Sequence, residues 1–140
     1  MPLLMPRAAQ ENIERFSRAL DPKKTILHAV GDVSGVDVMF NAVLVALYVR
    51  PEKTAGGIIR PHDNVQEDLW QGKVGLVVKV GADAFQDNEV NKFGDQRVEV
   101  GDWVGFKVGD SWPFLYNNVP CRYVIDTSIR LKLSDPSILV

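Results

Sequence analysis

The amino-acid sequence predicts a mainly β fold, namely a small and partly open β-barrel with an N-terminal helical extension. Short apolar segments rich in β-branched residues follow one another from residue 42 onward, separated by turn-forming residues. The first 37 residues lack this pattern and carry a helical repeat of apolar side chains instead. We therefore divide the 140 residues into an extension, 1–37, and a β domain, 38–140.

The extension is predicted to contain one amphipathic helix, over residues 7–20. Its apolar stripe has the spacing i, i+4, i+7, i+11 and consists of Ala9, Ile13, Phe16 and Leu20. Asp21-Pro22 should end this helix, and residues 21–41 should form a loop with one short strand at Thr25–Val30. Because so short a helix is marginal alone, the stripe must dock either on its own barrel or on a neighbouring subunit.

The clearest predicted strands flank a long connection, residues 51–71. Val43–Val49 precedes the connection and Lys73–Val80 follows it, and both are almost continuously apolar. Connections of this length are usually functional or disordered. The remaining predictions are a polar loop at Gly81–Gly94, a turn and strand within Val98–Val108, an irregular apolar segment at Trp112–Phe114, and strands at Val119–Ile125 and Ile129–Leu133.

The connection contains the candidate partner-binding residues, which are Gly56, Gly57, Ile58 and Ile59. The two glycines place no Cβ constraint on the chain, and the two isoleucines offer apolar surface at the end of a tether. The alternative is a strand end folded onto the barrel, but the Arg60-Pro61 that follows favours a hook for a partner. Trp70, in the same connection, is expected to pack on the barrel rim.

Five segments in the correct order resemble the GroES-type co-chaperonins, the small proteins that cap chaperonin cylinders. They are Asn41–Arg50, Lys53–Ile59 with its Gly-Gly-Ile-Ile, Gln71–Gly81, Val98–Phe106 with its Val-Gly-Asp, and Ser134–Leu139. The resemblance implies a GroES-like barrel and a mobile loop at 51–71 that docks in a groove of the chaperonin. It also implies a homo-oligomeric ring of seven subunits that assists protein folding, with ATP handled by the chaperonin and no cofactor held by this chain.

The sequence departs from the family pattern in two places. Arg60 stands where the family usually has a third apolar residue, and nearly forty residues precede the family's usual start. An N-terminal arm and a diverged loop are expected of a virus-encoded, bacteriophage-type relative. The alternative function is therefore a virion structural protein, such as a capsid cement, decoration or connector subunit that binds the major capsid protein or other virion subunits.

Composition argues against several other classes of function. A net charge of −2 and scattered basic residues do not favour nucleic acid, and no apolar run is long enough to cross a bilayer. Cys121 is the only cysteine, which fits a reducing compartment, so we expect a cytoplasmic protein, or a virion protein under the alternative. His28 and His62 lack metal-ligand spacing, and the acidic residues Asp63, Glu67 and Asp68 should form a solvated face.

Enzymatic activity is not expected either. We find no phosphate-binding glycine loop and no nucleophile elbow, and Cys121 lies in an apolar run typical of a buried thiol. The aromatic residues Trp112, Phe114, Tyr116 and Tyr123 could form a stacking platform for single-stranded nucleic acid. Since no basic groove accompanies them, we interpret them as core aromatics.

Overall fold

A computed structural model describes residues 5–50 and 72–139. Two helices precede six strands and two short 3₁₀ turns. In chain order these elements are α1 (Arg7–Ser17), α2 (Pro22–Val30), β1 (Ala42–Leu47), β2 (Val74–Val80), β3 (Trp103–Phe106), a turn at Val108–Asp110, β4 (Trp112–Tyr116), β5 (Val119–Ile125), a turn at Asp126–Ser128, and β6 (Ile129–Leu133).

The six strands form one antiparallel sheet in the order β4-β5-β1-β2-β3-β6. Among the described residues β4 and β6 do not pair with each other, so the sheet has two free edges and does not close. The prediction of a mainly β, partly open barrel-like fold with an N-terminal helical extension is confirmed.

The centre of the sheet is β1, whose six residues are all buried. Both faces of a strand must be covered to bury consecutive side chains, because these point alternately to opposite sides. The continuous apolar run of this strand in the sequence is typical of such double burial. The helices contribute to one hydrophobic core with the sheet, through Ile13, Phe16, Ile26 and Val30.

The predicted helix over residues 7–20 is confirmed in its first part, as α1, but it ends at Ser17. Ala9, Ile13 and Phe16 are buried in the chain's own core, whereas Leu20 is fully exposed in the link to α2. Leu20 was therefore wrongly assigned to the apolar stripe. The other three residues of the stripe, Ala9, Ile13 and Phe16, pack in the core of this chain.

Within the loop predicted over residues 21–41, the short strand at Thr25–Val30 is wrong, because this segment belongs to α2, whereas residues 31–41 have no helix or strand. The Asp21 side chain accepts a hydrogen bond from the Lys24 N–H at 3.2 Å, and Pro22 occupies the first turn. Asp21-Pro22 therefore begins a second helix. Proline is common at the first helical position, where its missing N–H is not needed for the helix. Ile26 and Val30, four residues apart, bury the inner face of α2.

The irregular segment predicted at Trp112–Phe114 is also wrong, because these residues begin strand β4. Asn117 and Asn118 connect β4 to β5 with positive φ at both positions, the pattern of a two-residue type I′ hairpin turn. Pro113 cannot donate to a ladder, but it is tolerated because β4 is an edge strand.

The polar loop predicted after β2 is confirmed as a connection without regular secondary structure. Asp87 Oδ1 accepts hydrogen bonds from the N–H groups of Phe93, at 2.6 Å, and Gly94, at 3.3 Å. Asn88 Oδ1 accepts from Val90 and Asn91 at 2.8 and 2.7 Å. The loop therefore satisfies much of its own backbone and packs back on the core through Phe85 and Phe93, whose rings meet edge to face at 5.4 Å.

Side-chain hydrogen bonds attach the segment after α2 to the sheet. The Tyr116 hydroxyl donates to the Asp32 carbonyl at 2.6 Å, and the Tyr123 hydroxyl donates to the Met39 carbonyl at 3.0 Å. Lys79 Nζ donates to the Val33 carbonyl at 2.8 Å. The extension is thus part of one folded unit with the sheet.

Candidate functional site

The predicted partner-binding residues Gly56, Gly57, Ile58 and Ile59 lie outside the described residues, as does the rest of the connection 51–71. The structure defines the base of this connection, the points where the chain leaves β1 and enters β2. Trp70, Arg60, His62 and the acidic residues Asp63, Glu67 and Asp68 also belong to the undescribed part. Predictions about these residues remain predictions.

The two ends of the connection lie side by side. Leu47 pairs with Gly75 in the β1–β2 ladder, and beyond this pair the Tyr48 N–H donates to the Val74 carbonyl at 3.0 Å. On the returning side, the Lys73 carbonyl accepts from the Phe106 N–H at 2.9 Å. The connection therefore leaves and re-enters the sheet at neighbouring positions that backbone hydrogen bonds hold in place.

The base is packed by aromatic side chains. The rings of Tyr48 and Trp103 meet edge to face, with centroids 5.5 Å apart, and the neighbouring Val49 is buried. On the other strand, Gly75 allows the neighbouring groups to pack closely against the backbone. A Cβ at this position would lie 3.0 Å from the Ala46 carbonyl and 3.3 Å from the Phe106 ring. The side chains at the base are thus closely packed where the chain departs toward residues 51–71.

The electrostatics of the base keep the Tyr48 phenol neutral. Burial raises the pKa of this group above its usual value, and the Asp135 carboxylate raises the pKa further, while Arg50 opposes them. Hydrogen bonds from the Ser137 side chain and backbone lower the pKa of Asp135, so its carboxylate carries a charge. The C-terminal segment thus runs past the base, and Leu139 packs over Gly105 of β3.

The other candidate sites from the sequence find structural explanations. Cys121 is fully buried, and desolvation raises the pKa of its thiol to about 12, so it is an inert thiol at neutral pH, as expected.

His28 is exposed on α2. No group of three or more metal-ligating side chains occurs within residues 5–50 and 72–139. In these same ranges no helix is both long and apolar enough to span a membrane.

The interpretation of the aromatic residues as core is wrong for Trp112, which is 66% exposed. Phe114, Tyr116 and Tyr123 are half-buried, and the two tyrosine hydroxyls are used to hold the chain before β1. Trp112 is exposed because β4 is an edge strand, so one side of the residue has no neighbour in the sheet. Sequence reasoning missed this because it did not recognise β4 as a strand.

Exposed apolar residues also occur just before β1. Met39 and Phe40 are largely exposed, and Phe40 has a φ of 62°, an unusual value for a bulky side chain. Neither residue was singled out from the sequence. The backbone around these two residues packs closely against Gly81. A Cβ at Gly81 would lie within 3.0 Å of the Val38, Phe40 and Ala42 carbonyl oxygens.

Comparison with known families identifies the class of protein as a chaperonin cofactor. The family described as "Chaperonin 10 Kd subunit" matches residues 36–125. Because the match spans more than half of the chain, this chain belongs to the chaperonin 10 kDa subunit family, and the resemblance to GroES-type co-chaperonins is confirmed. A comparison with curated proteins found no match.

Family membership implies a chaperonin as partner and oligomerisation in general. The matched range contains β1 to β5 and the whole connection 51–71, but neither helix and not β6. The family description names a chaperonin subunit. A virus-encoded origin and a cytoplasmic location stay predictions.

Proposed function

We propose that this co-chaperonin caps the open end of a chaperonin cylinder through the connection 51–71, with Ile58 and Ile59 as contact residues and Gly56 and Gly57 providing reach. The observation that carries the proposal is the family match, because it continues across this connection. The base supports it, since both ends of the connection are fixed on adjacent strands.

The energetics favour a multivalent assembly. Burying each isoleucine in a groove would contribute roughly 1.5–3 kcal/mol. Ordering the connection costs about 1–2 kcal/mol of backbone entropy per residue, so a single copy should bind weakly. A ring that presents several copies raises the effective concentration of each, and we propose a homo-heptamer for this reason and by analogy with the family.

The test is isothermal titration of the full chain with an ATP-bound chaperonin. We expect Ile58→Ser with Ile59→Ser to weaken binding at least about tenfold, because two apolar contacts are lost in every subunit. Val90→Ser is the matched control, since Val90 is an exposed apolar residue in a loop outside the connection. Unchanged binding by the double variant would refute the proposal that Ile58 and Ile59 contact the chaperonin.

A second candidate is a virion structural subunit built on the same fold. The helices α1 and α2 lie ahead of the family match, and Met39, Phe40 and Trp112 expose apolar surface that a neighbouring subunit could cover. Native mass spectrometry with and without chaperonin separates the two candidates. A complex of the ring with the cylinder supports the co-chaperonin, and assembly only with capsid proteins supports the virion subunit.

A further inference from the structure

The turn between β4 and β5 lies at the same end of the sheet as the connection 51–71. β5 runs antiparallel to β1, and their register places Cys121 opposite Ala46, near the end of β1. The turn at residues 117–118 precedes Cys121 in the chain, so it extends past the end of β1, where the connection departs. A group attached to this turn therefore lies on the side of the molecule that faces the partner of the connection.

Both helices of the extension are attached to this turn. Asn12 Nδ2 of α1 donates to the Asn118 carbonyl at 2.9 Å, and Asn117 Nδ2 donates to the carbonyl of Val30, at the end of α2, at 2.7 Å. A helix rises about 1.5 Å per residue, so α1 ends about 8 Å along its axis from Asn12 and α2 starts about 12 Å from Val30. The link between the helices is thus close to the end of the sheet that carries the connection.

The link and its flanks, residues 15–24, form what we call the helical corner. Leu20 is fully exposed at its centre, so one apolar side chain is presented to solvent. Asp21 is the one acidic residue in this range, and its side chain accepts from the Lys24 N–H at 3.2 Å as the cap of α2. Four basic side chains flank Leu20 in the sequence and are exposed, namely Arg15, Arg18, Lys23 and Lys24. The corner is therefore basic, with one projecting apolar group.

The positive charge of the corner contrasts with the rest of the chain. Residues 1–30 carry five basic and three acidic side chains, whereas residues 31–140 carry 11 basic and 15 acidic ones. The basic character is thus concentrated in the extension. An acidic partner surface would be attracted to the corner and not to the remainder of the chain.

Carboxylates near the corner reduce its charge without cancelling it. A surface hollow of about 450 Å³ lies between α1 and the start of α2. Its charged lining consists of two carboxylates and two guanidinium groups, which belong to Glu11, Glu14, Arg15 and Arg18, so the charges of the hollow balance. Neither Lys23 nor Lys24 lines the hollow. Within the corner, these two lysines therefore carry the least compensated charge.

The two lysines do not stabilise the helix that carries them. Lys23 and Lys24 lie in the first turn of α2, which contains no acidic residue. The N-terminal end of a helix has a partial positive charge, so anionic side chains stabilise it and cationic ones do not. Local stability consequently gives no reason for lysine at these positions, whereas attraction of an acidic partner does.

We propose that the helical corner makes a second contact with the chaperonin, in addition to the contact of the connection 51–71. Leu20 packs into an apolar depression of the chaperonin rim, and Lys23 and Lys24 meet carboxylates around it. This inference rests on the proposed capping function, because the attachment of the helices beside the base of the connection points to the chaperonin as the partner. Even a weak contact becomes effective when each subunit of a ring repeats it.

The test is isothermal titration of the full chain with an ATP-bound chaperonin at low salt. We expect Leu20→Ser with Lys23→Glu to weaken binding at least about tenfold, because an apolar contact is lost and a charge is reversed in every subunit. Val90→Ser with Lys92→Glu is the matched control and should bind like the wild type. It changes an exposed apolar residue and an exposed lysine in the loop after β2, at the opposite end of the sheet.

A stability measurement separates a docking role from a structural one. Lys23→Glu alone places an acidic residue in the first turn of α2, so its melting temperature should equal or exceed that of the wild type while chaperonin binding weakens. The affinities of this variant and of the wild type should converge as salt is added, since salt screens exposed charges. Unchanged chaperonin binding by the Leu20 and Lys23 double variant would overturn the proposal.

Other occupants of the corner give other results. The backbone amides within residues 18–25 should become protected from hydrogen exchange only when the chaperonin is added. The same protection in the ring without chaperonin would assign the corner to a contact between copies and overturn the proposal. Cosedimentation of the wild type but not the double variant with phosphatidylglycerol vesicles, together with equal chaperonin binding by both, would assign the corner to a membrane surface instead.

Failure of the corner and failure of the capping function are distinguishable. If the Leu20 and Lys23 double variant binds like the wild type while the Ile58 and Ile59 double variant binds weakly, the corner is refuted and the connection stands. The reverse result supports the corner and refutes the contact through the two isoleucines. A wild-type chain that does not bind the chaperonin would refute the capping function and, with it, the corner contact.

Discussion

At the scale of single residues, Asp126 joins three segments that are distant in sequence. Its carboxylate accepts from Asn41 before β1 and from the Phe85 N–H in the loop after β2, and its own N–H donates to the Asn41 carbonyl at 2.8 Å. Asp126 is 3% exposed, so water cannot replace these contacts. This residue was not singled out from the sequence, because nothing local distinguishes it from other aspartates after strands.

Asp126→Ala should lower the free energy of unfolding by about 2–4 kcal/mol, because it leaves two donors without their acceptor. Asp126→Asn keeps one acceptor oxygen and should cost less. Asp95→Ala, at an exposed carboxylate nearby, is the control and should change stability little. Urea denaturation followed by circular dichroism measures all three, and equal midpoints for the Asp126 and Asp95 alanine variants would contradict the structural role.

At the scale of elements, the strands predicted from almost continuous apolar runs are confirmed as β1 and β2, which are buried along most of their length. A strand that is buried on both faces needs apolar side chains at nearly every position, so it can be recognised directly in the sequence. The errors at α2 and β4 both involve a proline. Pro22 starts a helix and Pro113 sits in an edge strand, and each position is allowed only by context that is not local.

The β4–β5 hairpin depends on its turn. Asn118 has a φ of 59°, a left-handed conformation that costs a β-branched residue about 1–2 kcal/mol or more. Asn118→Val should therefore lower stability by about that amount, whereas Asn118→Gly should be nearly neutral or stabilising. Thermal unfolding checks both variants, and equal melting temperatures would show that the turn does not determine the hairpin.

At the scale of the whole molecule, the helices and the sheet share one core. Ile13, Phe16, Ile26 and Val30 from the helices are almost completely buried. The division at residues 37 and 38 stays a prediction from the sequence pattern. The position of the partner site, by contrast, was predicted only from composition and resemblance, because a connection such as 51–71 has no periodicity from which a contact can be derived.

Removal of residues 1–31 tests this shared core. Each of the four apolar side chains contributes roughly 1.5–3 kcal/mol on burial, and the sum is comparable to the 5–15 kcal/mol that stabilises a typical domain. We therefore expect the shortened chain to lose cooperative unfolding and dispersed amide resonances. A shortened chain that melts cooperatively near the wild-type temperature would show that the extension is a dispensable arm.

The adjacent anchoring of the connection 51–71 has a mechanical consequence. β1 and β2 are antiparallel, and the connection joins their neighbouring ends, so a force pulling on it draws both strands in the same direction and does not peel one from the other. We expect such a load to fall on the ladders that β1 and β2 form with their outer neighbours, β5 and β3, where many hydrogen bonds share it. The edge-to-face contact of Tyr48 with Trp103 ties the chain just after β1 to the start of β3, so a tug on the connection is spread over three strands.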